Sequence, residues 1–179
     1  MDVTKIGVIG AGQMGNGIAH VMALAGYHVC LNDISEDVLS QALTRIDKNM
    51  MRQVKSGKIA QADKAAALAR ITTTLSIADI GQSDLVIEAA TEDEPTKQVI
   101  FDALVPHIQD HTILTSNTSS ISITRLASRT GRPEKFMGFH FMNPVPVMQL
   151  VELIRGIATD KETYDTCRAV VENLGKTPA

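Results

Sequence analysis

A histidine can accept a proton near neutral pH, and a carboxylate beside its ring fixes the tautomer and steadies the imidazolium. His140 and Glu152 could form such a pair. Two apolar runs, residues 135–140 and 149–154, flank the Pro- and Met-rich connector 141–148. Pro146 is the midpoint between His140 and Glu152, so an antiparallel hairpin centred there sets them opposite each other. That arrangement suits a base taking a hydroxyl proton. The competing reading is a structural histidine.

Gly10, Gly12 and Gly15 form a G-x-G-x-x-G motif, with Gln13 and Met14 between the last two glycines. Alone the motif is weak. Here an apolar run precedes it and a helical pattern follows, which is the context it needs. Gly10 permits the tight turn, Gly12 lets backbone approach a pyrophosphate, and Gly15 allows close helix–strand packing. The helix N-terminus then offers N–H groups to phosphate. Asp33 closes the second strand at the spacing of an acidic residue that binds a ribose 2′-hydroxyl. Its neighbours Asn32, Ile34 and Ser35 are uncharged, so nothing beside it offers a 2′-phosphate a cation. The motif therefore predicts NAD rather than NADP. A plain Gly-rich turn with an N-capping Asp is the alternative.

Arg45, Lys48, Arg52 and Lys55 recur at helical spacing, with Lys58 just beyond. They share one helix face. They are either a solvated face or phosphate contacts for a second anionic ligand. The segment from Asn117 to Ser120 follows another strand and could hold a polar substrate with its hydroxyls; Ser122 reads as a helix cap.

The elements that position these residues alternate. Strands are expected at 5–9, 28–33, 71–75, 84–88, 112–115, 135–140 and 149–154. Helices are expected at 13–25, 35–54, 62–69, 95–105, 122–127 and 160–174. This order predicts an α/β fold of Rossmann type: a doubly wound, mostly parallel sheet with a C-terminal antiparallel hairpin. A helical hairpin insert falls at about 35–70. After Gly175 another strand could begin.

Composition excludes several classes. The 179 residues carry a net charge of −3, so a nucleic-acid partner is not expected. No run is apolar enough to span a membrane, and the N-terminus lacks a basic leader, which points to the cytoplasm. Cys30 and Cys167 are too sparse for a disulfide framework. No metal is expected.

Taken together, four segments resemble the 3-hydroxyacyl-CoA dehydrogenase family, nearest its bacterial 3-hydroxybutyryl-CoA branch. They are Gly10-Ala-Gly-Gln-Met-Gly-Asn-Gly-Ile-Ala19, Asp84-Leu-Val-Ile-Glu-Ala-Ala-Thr-Glu92, Ser116-Asn-Thr-Ser-Ser-Ile121 and His140-Phe-Met-Asn-Pro-Val-Pro-Val-Met-Gln-Leu-Val-Glu152. The resemblance implies that His140 is the catalytic base, Glu152 its partner and Ser119 a substrate-orienting serine. It implies cofactor contacts from Glu92, Lys97 and Asn143, the last near the nicotinamide, with Gln13, Met14 and Asn117 completing the set. Asn49, Arg52 and Lys55 would face coenzyme A.

The implied reaction is NAD-dependent, reversible oxidation of an (S)-3-hydroxyacyl-CoA, 3-hydroxybutyryl-CoA above all, in fatty acid or butanoate metabolism. Family members continue into a helical C-terminal domain that carries a further catalytic asparagine and most of a dimer interface. The 179 residues are thus expected to be the NAD-binding domain alone, with little turnover. A non-catalytic NAD-binding relative of lens-crystallin type is disfavoured by His140, Glu152 and Ser119. A related sugar-acid dehydrogenase is disfavoured by Val145-Pro-Val-Met148.

Overall fold

Eight strands form one sheet in a computed structural model that describes residues 1–179. In chain order the elements are β1 (Lys5–Ile9), α1 (Gln13–Leu24), β2 (His28–Asn32), α2 (Glu36–Lys55), α3 (Gln61–Ala69) and β3 (Ile71–Thr74). Then come α4 (Ile77–Ile80), β4 (Leu85–Glu88), α5 (Glu94–Leu104), β5 (Ile113–Ser116), α6 (Ile123–Ser128) and β6 (Phe136–Phe141). The chain closes with β7 (Leu150–Arg155), α7 (Lys161–Asn173) and β8 (Thr177–Pro178).

The strand order is β3-β2-β1-β4-β5-β6-β7-β8. All neighbours pair parallel except β6 and β7, which are antiparallel. The doubly wound sheet and its hairpin are therefore as the alternating pattern predicts. Every residue of β4 and β5 is buried, as expected for strands covered on both faces. One face packs against α1, α2, α3 and α7 through Ile18, Met22, Ile46, Met50 and Val171. The other meets α4, α5 and α6 through Ile80, Phe101, Leu104 and Leu126.

Local chemistry sets the helix starts. Ser35, Asp93, Ser122 and Asp160 each accept a backbone amide in the first turn of α2, α5, α6 and α7. Helix α1 differs: its N-cap is Gly12, which offers no side-chain acceptor to the first-turn amides. One element escapes the periodicity argument: helix α4 is a single turn. Where another strand could begin after Gly175, β8 adds a two-residue parallel strand beside Leu150 and Val151. The order β1 then β4 puts a topological switch between them, with the loops after both strands on the same edge.

Candidate active site

The glycine turn between β1 and α1 lies at that switch. Gly10 adopts φ +97°, and a Cβ there would sit 2.6 Å from the Ala90 backbone, so the loop after β4 presses directly on the turn. Gly15 has no room either: its Cβ would lie 1.6 Å from the Gly10 carbonyl oxygen. Gly12 behaves oppositely. It is exposed, and a Cβ there would meet no protein atom within 4 Å. The fold does not need that glycine for its own packing; the bare backbone and the uncapped helix start fit a pyrophosphate.

Asp33, just past β2, is half-buried and already engaged. Its Oδ2 accepts the Ala11 amide at 2.9 Å and its Oδ1 accepts the Ser35 amide at 3.1 Å. The carboxylate thus joins the glycine turn to the start of α2. A carboxylate can accept further bonds, so the diol of a ribose fits beside it.

Gln13, Met14, Glu92, Asn117 and Asn143 share the same edge. Gln13 Nε2 donates to Asn143 Oδ1 at 3.3 Å, tying α1 to the end of β6. Glu92 accepts the Thr118 hydroxyl at 2.9 Å and the Ser120 hydroxyl at 3.4 Å. Buried Asn117 accepts the Phe141 amide at 2.8 Å, so its oxygen holds β6 in place. Lys97 stands apart from this group. It is wholly buried and its Nζ lies 2.5 Å from Glu88 Oε1, itself wholly buried. The Ser116 hydroxyl donates to the same Glu88 oxygen at 2.7 Å, and the Ala90 amide to Oε2 at 2.9 Å. Here Lys97 reaches the glycine turn only through Glu88 and Ala90. The sequence signal for Glu88 is a charge that ends an all-apolar strand; Ser116 carries none.

His140 and Glu152 face each other in the β6–β7 ladder. His140 Nδ1 is 3.2 Å from Glu152 Oε1. Donation from Nδ1 leaves Nε2 with a free lone pair, the tautomer a base requires. The His140 side chain is 17% exposed and that of Glu152 45%, so solvent reaches the pair. Ser119, after β5, is exposed.

Between α2 and the β6–β7 connector runs a cleft of about 450 Å³ that includes His20, Asn49, Arg52, Lys58 and Pro146 in its walls. A contiguous hollow that shares Asn49, Pro144 and Pro146 extends it to Arg45, Gln13 and Asn143. The basic stripe therefore divides. Arg45 and Arg52 line the cleft, while Lys48 and Lys55 are exposed outside it. Asp47 pairs with Lys64 of α3 at 2.7 Å and stays off the cleft. His20, buried at the floor, hydrogen-bonds Gln53 of α2 at 2.8 Å, and burial lowers its pKa. Its Nδ1 has no partner. A larger cavity of about 520 Å³ lies beside α7 and shares no residue with these elements.

Comparisons with known proteins place the chain in a family. Residues 5–179 match the family described as 3-hydroxyacyl-CoA dehydrogenase, NAD binding domain. The chain is 53% identical over 174 residues to a 3-hydroxybutyryl-CoA dehydrogenase of Bradyrhizobium diazoefficiens, covering 97% of this chain and 59% of the relative. A 3-hydroxybutyryl-CoA dehydrogenase of Clostridioides difficile is 42% identical, with 97% and 62% covered. The crystal structure of (S)-3-hydroxybutyryl-CoA dehydrogenase PaaH1 from Ralstonia eutropha superposes with a TM-score of 0.96 at 44% identity, covering 99% of this chain and 62% of that one. The chain thus spans about three fifths of the length of these relatives.

Proposed function

The chain belongs to the family of the 3-hydroxyacyl-CoA dehydrogenase NAD-binding domain, and from that premise we propose that it serves reversible oxidation of an (S)-3-hydroxyacyl-CoA to the 3-ketoacyl-CoA. 3-Hydroxybutyryl-CoA is the substrate we favour. The single observation that carries the reading is the His140–Glu152 pair, on the same sheet edge as the glycine turn.

Bound NAD would supply the hydride acceptor. Gly10, Gly12 and Gly15 with the first-turn amides of α1 would hold its pyrophosphate, and Asp33 its ribose, favouring NAD over NADP. Gln13, Met14, Glu92, Asn117 and Asn143 would line the remainder, and Lys97 would act through Glu88. His140 Nε2 would take the proton of the substrate 3-hydroxyl, with Glu152 stabilising the imidazolium. The Ser119 hydroxyl would hold the substrate oxygen. Arg45, Asn49, Arg52 and Lys58 would face the coenzyme A phosphates across the cleft, with Lys55 adding charge nearby.

We further propose that these 179 residues alone bind cofactor but turn over slowly. The exposure of Glu152 and Ser119 supports this, because water then competes for the groups that should hold the substrate. The test is loss of NADH absorbance with acetoacetyl-CoA, on this chain and on a full-length version. Turnover by the longer protein, with little by the chain, is expected. No turnover by either defeats the dehydrogenase reading.

A further inference from the structure

One wall of the cleft is the β6–β7 connector, and it is held from behind by a lysine that the proposed reaction does not use. Lys176 precedes β8 and is 8% exposed. Its ammonium meets no carboxylate. Instead Nζ donates to the Val145 carbonyl at 2.8 Å and to the Met148 carbonyl at 2.5 Å. A buried ammonium without a counter-charge is costly unless its hydrogens find acceptors. Here both come from one loop, 31 and 28 residues away in the chain. Burial also lowers the Lys176 pKa.

The connector also rests on α1. A Cβ on Gly17 would lie 2.8 Å from the Val145 Cβ, so Val145 rests directly on that helix. Within the connector, the Val147 and Met148 amides both donate to the Pro144 carbonyl at 3.0 Å. Few bonds of its own hold the loop, yet Pro144, Pro146 and Val147 face Asn49 and Arg52.

We infer that Lys176 is a positioning residue for the coenzyme A side of the site, clamping the connector so that the cleft keeps its width opposite α2. It touches neither cofactor nor substrate. The inference rests on the proposed reading of the cleft.

Lys176→Met keeps the aliphatic stem and removes both donors. The Val147 and Met148 amides should then exchange hydrogen about tenfold faster, while those of β1 and β4 keep their protection. Coenzyme A affinity, measured by calorimetric titration, should fall about fivefold, with NADH affinity changed by less than about twofold, because a loosened wall must be ordered on binding. Unchanged exchange at Val147 and Met148 overturns the inference. So does an equal loss of coenzyme A and NADH affinity, which would make Lys176 a general support of the fold. If Lys176→Met does not fold, Gly17→Ala displaces Val145, whose carbonyl Lys176 holds, from α1; unaltered coenzyme A affinity there also overturns it. If the unsubstituted chain binds no coenzyme A while Lys176→Met still speeds exchange at the two amides, the substrate reading fails and the clamp stands.

Discussion

His140 Nδ1 lies 3.2 Å from Glu152 Oε1, between two residues that the β6–β7 ladder already holds in register. The contact costs little extra order, because strand pairing has positioned both backbones. It selects the tautomer in which Nε2 is free to take a proton. In a protein as long as its relatives, His140→Gln should lower turnover by about 10²–10⁴. NADH affinity should stay nearly constant, since the glycine turn and Asp33 lie on other strands. Near-normal turnover of the variant would make His140 a structural histidine.

Asp33 has two tasks, and one variant separates them. Its carboxylate accepts the Ala11 and Ser35 amides and would also bind the ribose. Asp33→Ala should weaken NADH binding by roughly 1.5–3 kcal/mol, the value of a hydrogen bond to a charged group. Asp33→Asn keeps one acceptor oxygen for the turn but removes the charge that repels a 2′-phosphate. It should therefore narrow the gap between NADH and NADPH. Equal binding of both cofactors by the unsubstituted protein, seen in a fluorescence titration, would remove Asp33 from cofactor selection.

Arg52 lines the cleft and contacts Asn49 at 3.3 Å, whereas Lys55 stands outside it. Replacing both by Gln should raise KM for a coenzyme A thioester and leave a truncated thioester without the nucleotide almost unaffected. Arg52→Gln alone should account for most of the effect. The difference should shrink as salt rises, since the Debye length is only about 8 Å at physiological ionic strength. Equal losses with both thioesters would indicate damage to the fold.

At the opposite edge of the sheet, Asp84 accepts the Thr4 and Lys5 amides at 2.9 and 3.0 Å and lies 2.8 Å from His111 Nε2. Burial pushes its pKa up, but bonds from Thr4, His111 and Lys5 outweigh that and hold it below the usual carboxylate range. A depressed folded pKa stabilises the protein above the unfolded value, about 3.9, and that share is lost as pH falls through the folded value. Asp84→Asn should unfold at lower temperature than the parent near neutral pH, and the two should converge in acid. A gap in Tm that is the same at both ends of the pH range would show that Asp84 contributes no titrating share.

The sequence announces what local pattern controls and hides what distant backbone controls. The hairpin register followed from a connector with Pro146 at its centre, and the ladder pairs His140 with Glu152 accordingly. The caps at Ser35 and Ser122 followed from residue type. Helix α4 could not be read because one turn, Ile77–Ile80, carries no periodicity. The burial of Lys97 was hidden for a different reason. The resemblance implies a cofactor contact for Lys97, and only the fold brings Glu88 beneath it and buries both. The Lys176 clamp leaves no trace at all, because its partners are carbonyl groups that every residue possesses.

The last prediction separates two glycines of one motif. Gly12 has φ −71° and ψ −158°, which alanine also adopts, and its added Cβ would meet nothing within 4 Å. Gly12→Ala should therefore lower Tm only slightly, by what alanine costs at an N-cap, about 1 kcal/mol or less. The methyl would occupy the space above the helix start, and NADH affinity should drop by about tenfold or more, which is ~1.4 kcal/mol. Gly15→Ala should damage the fold as well. Its Cβ would fall 1.6 Å from the Gly10 carbonyl oxygen, so α1 must move away from β1. Overpacking of that sort costs about 1–3 kcal/mol, and both Tm and NADH affinity should suffer. Scanning calorimetry beside a fluorescence titration reads both quantities on each variant. A large fall in Tm for Gly12→Ala, or unaltered NADH affinity in it, would mean that the open space above Gly12 is not where the pyrophosphate lies.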